Sequence, residues 1–354
     1  MIRVVIAEDS LTVRELLVEI LESDPEIRVV GQAKNGAEAV ELATRLKPDL
    51  VTMDVHMPVM DGFEATKEIM VRAPVPIVLV SSSVSREDVE LSFDAMRAGA
   101  LMVVAKPDSP QSAVFDGRRE QFLAMVKAMS QVKVVRRWAP RAQAVTPPVG
   151  RGRAPGTAPR LRLVAIAAST GGPAALQRIL ADLPGDFPAP ILVVQHIAAG
   201  FIAGLAGWLG ASCNLRVKVA GHGEPLRERS VFLAPDDRHL GVTADAHAIV
   251  ADAPPINGFR PSGTYLFASA ARAYGPSVAA VILTGMGSDG VEGLKAVKAA
   301  GSQVLAQDEA TSVVYGMPRE AAAAGVVDAV LAIDAVAPRL QELVARPGRA
   351  EGRA

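Results

Sequence analysis

Two sets of side chains in this 354-residue sequence stand where short apolar runs end, and each set suggests a chemistry. In the first, Glu8 and Asp9 close RVVIAED, Asp54 lies in DLVTMDVHMPVMDGFEA, Ser81 ends APVPIVLVS and Lys106 follows ALMVVA. Clustered carboxylates repel one another unless a cation neutralises them, and an all-oxygen set working on phosphate suits Mg2+. A carboxylate so placed can attack a phosphoryl group. Ser81 and Lys106 then offer a hydroxyl and a point charge to the new phosphate oxygens. One acid at a strand end is usually a helix cap; five such residues together describe a site.

In the second set, the strand of VAIAASTGGPAAL runs into Ser169 and a helix opens at Pro173. Glycines there let a substrate reach the backbone, and free N–H groups at a helix N-terminus stabilise the negative charge that grows on an attacked carbonyl. Alone, Ser169 could be no more than an N-cap. His196, just past the strand of APILVVQH, falls on the same sheet edge, where it can serve as a base. Asp289, in PSVAAVILTGMGSDG, could orient that imidazole and stabilise its charged form. His222, His239 and His247 have no such context. The stretch Gly285 to Gly290 also matches G-x-G-x-x-G, with Asp308 at the next strand end, but it comes late in its domain and Asp289 would repel a pyrophosphate.

These residues need parallel strands to bring them together. From 1 to about 130, β-branched runs (2–7, 28–33, 49–53, 76–80, 101–104) alternate with segments of helical period (10–22, 35–46, 62–72, 85–97, 116–130), which is five βα units. Ligands in such folds gather beyond the carboxyl ends of the strands. No acidic residue occurs between Glu120 and Asp182, and the Arg, Pro, Gly and Ala of 131–160 read as a linker. From 161 the alternation resumes, with strands near 163–167, 190–194, 278–283 and 303–306, helices near 172–182, 288–300 and 335–345, and an irregular middle from 216 to 275. The expected fold class is α/β: a flavodoxin-like (βα)5 domain over 1–125 and a doubly wound, mostly parallel domain over 161–345. A net charge of -1 gives no basic field for nucleic acid. The single cysteine, Cys213, rules out an internal disulfide and fits a reducing cytoplasm. No apolar run approaches the ~20 residues of a membrane span.

Residues 1 to 125 resemble the response-regulator receiver family through the acidic, DLVTMD, VSSS and VVAKP segments. The resemblance implies Asp54 as phospho-acceptor, a metal site of Glu8, Asp9 and Asp54 in which Glu8 supports the pocket, and Ser81 with Lys106 as a switch pair. Many receivers carry an aromatic three residues before the lysine; Val103 stands here, so rotation of a ring cannot be the readout. Residues 161 to 345 resemble the catalytic domain of the chemotaxis protein-glutamate methylesterases (CheB) through ASTGGP, VVQHIAAGF, SVFLAPDDRHLGV, LTGMGSDG and AQDEATSVVYGMPREA, in that order. This implies Ser169 as nucleophile, His196 as base then acid, Asp289 as its orienter, and the backbone N–H groups of Thr170 and Met286 as oxyanion donors. Gly263-Thr264 stands where many members have Val-Asp, and Ala199 replaces a common proline.

The implied reaction is hydrolysis of glutamate γ-methyl esters on chemotaxis receptors with release of methanol, and deamidation of receptor glutamines through the same acyl intermediate. Mg2+ serves the receiver and no cofactor enters the ester chemistry. The implied partners are the methyl-accepting receptors and a chemotaxis histidine kinase as phosphodonor, with the unphosphorylated receiver covering the catalytic cleft. A binding module with a vestigial esterase is the alternative. A DNA-binding regulator would need a compact basic effector in place of a full α/β domain.

Overall fold

The structure is a computed structural model that describes residues 1–81, 86–107, 115–132, 134 and 161–345; Ser82, Ser83, the basic stretch 136–160 and the tail from 346 lie outside them. In the first part, β1 (Ile2–Ala7), α1 (Leu11–Glu22), β2 (Ile27–Ala33), α2 (Gly36–Leu46), β3 (Leu50–Asp54), α3 (Gly62–Arg72), β4 (Ile77–Ser81), α4 (Arg86–Ala98), β5 (Met102–Ala105) and α5 (Phe115–Ser130) alternate as expected. The strands make one parallel sheet in the order β2-β1-β3-β4-β5. Helices on both faces explain why β3 and β4 are buried at every residue and read as unbroken apolar runs. Asn35 and Asp61 start α2 and α3 by accepting the N–H groups of Glu38 and Glu64.

The second part contains β6 (Leu163–Ala168), α6 (Gly172–Asp182), β7 (Ile191–Gln195), α7 (Ile202–Ala211), β8 (Arg216–Val219), β9 (Ser230–Leu233), β10 (His239–Val242), β11 (Ala248–Ala251), α8 (Gly263–Tyr274), β12 (Val278–Ile282), α9 (Val291–Ala299), β13 (Gln303–Gln307), α10 (Met317–Ala323), β14 (Ala329–Leu331) and α11 (Ile333–Ala345). Seven strands form a parallel sheet in the order β14-β13-β12-β6-β7-β9-β8, and β10 with β11 makes an antiparallel hairpin. The first strand, β6, lies between β7 and β12, so the chain reverses its direction of growth at β6. That switch point is where open α/β sheets hold their ligands.

The middle that reads as irregular in sequence holds the hairpin and α8. Helix α7 also carries no helical signal in sequence, because IAGLAGWLGA has no polar face to set a period. It packs on α4, where Phe93 stacks on Trp208 with ring centroids 5.4 Å apart and Arg97 lies 6.0 Å over the same indole. No helix among the described residues is long and apolar enough to cross a membrane.

Candidate active site and phosphorylation pocket

Strands β12, β6 and β7 are neighbours, and their carboxyl ends carry Asp289, Ser169 and His196. Gly171, with φ of 77°, lets the chain turn from Ser169 into α6. The Ser169 N–H donates to the Thr284 carbonyl (3.0 Å), while the Thr284 hydroxyl donates to the Thr170 carbonyl (2.9 Å), so the loop after β12 grips the nucleophile loop. Among the described residues no backbone carbonyl accepts the N–H of Thr170 or Met286.

His196 meets Asp289 through Nε2, at 3.0 Å. With Nε2 protonated and bonded to the carboxylate, Nδ1 keeps its lone pair. This Nδ1 is buried without a hydrogen-bond partner, and His196 and Ser169 line one cavity. The ring thus presents Nε2 to the acid, the reverse of the familiar triad, in which Nδ1 faces it. Phe259 stacks on the imidazole at 4.6 Å and 14° and restricts its rotation.

Asp289 is buried, which by itself would raise its pKa, yet hydrogen bonds from His196, Ser262 and Gly263 and the charge on His196 outweigh burial and bring it to about 2. The Ser262 hydroxyl donates at 2.6 Å, the Gly263 N–H at 2.6 Å and the Thr264 N–H at 3.2 Å. Ser262 is the N-cap of α8, so the carboxylate sits against the positive end of that helix. The Gly263-Thr264 pair that departs from the family pattern thus holds the acid through its backbone.

In the first part, the carboxylate oxygens of Glu8, Asp9 and Asp54 lie within 4.8 Å of one another at the ends of β1 and β3. Lys106 Nζ bridges Glu8 (2.7 Å) and Asp54 (2.8 Å), and its N–H donates to the Ser81 carbonyl at 2.8 Å. Burial raises the pKa of Glu8 and of Asp54 despite the lysine. Burial works against the Lys106 ammonium, but its two carboxylate partners leave its pKa raised. One cation cannot balance three carboxylates, and an all-oxygen donor set with this surplus fits Mg2+.

The first part covers the second site. Met96, Met102 and Val103 of the first part line the cavity that holds Ser169, Thr170 and His196, and only ≈ 20 Å³ remains there. Val103, the residue in place of an aromatic, is therefore a wall of the catalytic cavity. Beside it, a cavity of ≈ 240 Å³ has Ala199 and Ile202 in its wall and Arg260 and Asp237 at its rim.

The structure brings Glu8, Asp9, Asp54 and Lys106 together at one set of strand ends, with Ser81 beside Lys106, and Ser169, Thr170, His196 and Asp289 at the other; Met286 is 42% exposed and lines neither cavity. Sequence reasoning missed Ser262, Phe259, Thr284 and Gln195. Gln195 stands in the quoted motif VVQH, and a polar residue closing a buried strand was the available signal.

An acidic, all-oxygen pocket on one parallel sheet and a Ser/His/Asp arrangement on a second define a receiver domain coupled to an α/β hydrolase domain. Residues 4–114 match the profile of the response regulator receiver domain and residues 164–340 that of the CheB methylesterase. The chain is 55% identical over 339 residues to protein-glutamate methylesterase/protein-glutamine glutaminase 4 of Myxococcus xanthus, covering 96% of each chain. It is 54% identical to protein-glutamate methylesterase/protein-glutamine glutaminase 3 of Anaeromyxobacter dehalogenans, over 96% of this chain and 98% of that one. The solved CheB methylesterase catalytic domain of Thermotoga maritima superposes with a TM-score of 0.51 at 41% identity, over 52% of this chain and 99% of that one. The chain belongs to the CheB family of receiver-linked protein-glutamate methylesterases.

Proposed function

We propose that this chain hydrolyses glutamate γ-methyl esters, and deamidates glutamines, on the methyl-accepting receptors of a chemotaxis system in the cytoplasm. The observation that carries the reading is the convergence of Ser169, His196 and Asp289 on three adjacent strand ends, with the histidine already bonded to the acid. Ser169 Oγ attacks the γ-carbonyl carbon as His196 Nδ1 takes its proton. The oxyanion meets the N–H groups of Thr170 and Met286. His196 returns the proton to the leaving methoxide, which departs as methanol. Water then repeats the sequence on the acyl-enzyme and frees glutamate. An amide substrate follows the same path with ammonia leaving. Ser169→Ala should abolish methanol release from methylated receptor at unchanged secondary structure; turnover near wild type would end this assignment.

Asp54 is the phospho-acceptor in this reading, with a chemotaxis histidine kinase as donor. Glu8, Asp9 and Asp54 would hold Mg2+, which when bound lowers the charge on the phosphoryl oxygens. Lys106 and Ser81 receive the new phosphate. A cavity of ≈ 20 Å³ admits about one water-sized sphere, so a methylated glutamate enters only when Met96, Met102 and Val103 move away. Lys106 leaving Glu8 for a phosphate, three residues beyond Val103, is the local event that favours the open form. The 131–160 segment acts as the tether between a receiver of 1–125 and a catalytic domain of 161–345.

A further inference from the structure

We infer that Gln195 is a positioning residue that aims and strengthens the Thr170 N–H as an oxyanion donor; the inference rests on Ser169 being the nucleophile. Gln195 is the last residue of β7 and only 2% exposed. The ladder between β6 and β7 ends at Ala168 and Gln195, with one more backbone bond from the His196 N–H to the Ala168 carbonyl. Beyond that point the side chain of Gln195 continues the work of the ladder. Its Nε2 donates to the Ser169 carbonyl at 2.8 Å and to the His196 carbonyl at 2.8 Å. A primary amide has two N–H groups, so both are used. One side chain thus fixes the distance between the backbones of nucleophile and base.

The other end of the amide is constrained as well. Oε1 is buried with no hydrogen-bond partner and lies against the first residue of α6: a Cβ at Gly172 would stand 2.0 Å from it. Leaving such an acceptor unpaired costs about 1–3 kcal/mol, a cost offset by placing it at the positive end of a helix. The amide is held in one orientation, N–H groups toward the carbonyls and oxygen toward the helix.

The consequence reaches the reacting atoms through one peptide unit. The Ser169 carbonyl accepts two hydrogen bonds, from Gln195 Nε2 and from the Gly172 N–H at 2.8 Å. That carbonyl belongs to the peptide whose N–H is the Thr170 N–H. Donors on a carbonyl polarise its peptide and strengthen the N–H at the far side. The same two bonds fix the plane of the peptide and hence the direction of the N–H. Gln195 touches neither substrate nor proton.

The test uses the full chain, activated with acetyl phosphate and Mg2+, on methylated receptor. Gln195→Leu keeps the volume and removes both donors. Loss of a whole oxyanion donor costs about 100–1,000-fold in kcat, so weakening one should cost about 10–100-fold, with KM within about twofold. The shape of the pH profile of kcat/KM should be unchanged, and a fluorophosphonate probe should label Ser169 more slowly in proportion to kcat. A kcat within about twofold of wild type, or a loss confined to KM, would overturn the inference. Gln195→Glu guards against misfolding: its protonated form carries one O–H donor, so its kcat relative to wild type should rise as pH falls, and a flat ratio would also overturn it. Ser169→Ala run alongside separates the two readings, because an active Ser169→Ala would remove the nucleophile itself, whereas an inactive one with normal Gln195 variants removes only the inference.

Discussion

At Asp289 the stability of the fold and the proposed reaction meet in one residue. Its folded pKa of about 2 lies below its ordinary value of 3.8. A depressed carboxyl stabilises the fold fully above the unfolded pKa and loses that contribution as pH falls through the folded one. At about 1.4 kcal/mol for each pKa unit, the contribution is on the order of 2–3 kcal/mol at neutral pH and disappears between about pH 4 and pH 2. Asp289→Asn should therefore lower the denaturation free energy by about that amount at pH 7, with the gap to wild type closing as pH approaches about 2. A gap of constant size across that range would show that the anion is not what stabilises the site. The same variant should also lose most of its methanol release, because an amide cannot stabilise the imidazolium. Ser169, His196 and Asp289 were legible because each follows a run of apolar residues that can only be a buried strand. Ser262 and Phe259 were not, because they act on partners elsewhere, Ser262 on a carboxylate 27 positions away and Phe259 on a ring; Gln195 stood out as a polar end to a buried strand, but not its partner, the carbonyl of a residue 26 positions away.

At the scale of elements, α8 supports the acid through its first turn. Ser262→Ala removes both the helix cap and a hydroxyl donor to Asp289 at 2.6 Å. The cap alone is worth about 1 kcal/mol, and a drop in kcat with a raised Asp289 pKa should accompany the loss of stability; unchanged activity would mean that the backbone N–H groups of Gly263 and Thr264 suffice. The ends of β1 and β3 make a parallel case. Mg2+ at about 100 times its Kd should stabilise the receiver by about 2.7 kcal/mol, seen as a rise in Tm that Asp9→Asn with Asp54→Asn abolishes. An equal rise in that double variant would place the ion elsewhere. The receiver elements were readable almost residue by residue, since Val and Ile runs alternate with amphipathic segments. Helix α7, with Gly204, Gly207 and Gly210 spread around it, and the hairpin of β10 and β11, with strands only four residues long, carry too little periodic signal for a sequence reading to find them.

For the whole molecule, the contact of α4 with α7 holds the receiver over the catalytic cavity. The stack of Phe93 on Trp208 is worth about 0.5–1.5 kcal/mol, while the indole N–H of Trp208 is buried with no partner among the described residues and takes about 1–3 kcal/mol back. A closed form balanced in this way can be opened by a modest push. Trp208→Ala, or the milder Arg97→Ala, should raise basal methanol release several-fold without phosphodonor and change the phosphorylated rate little; a loss of activity in both states would assign Trp208 to the catalytic fold instead. The covering residues Met96, Met102 and Val103 have one more consequence. The cover and the cavity it lines are translated as a single polypeptide, so they stand one to one in every cell whatever the level of expression. No excess of free cover can build up to close cavities on other copies, as a separately made partner could.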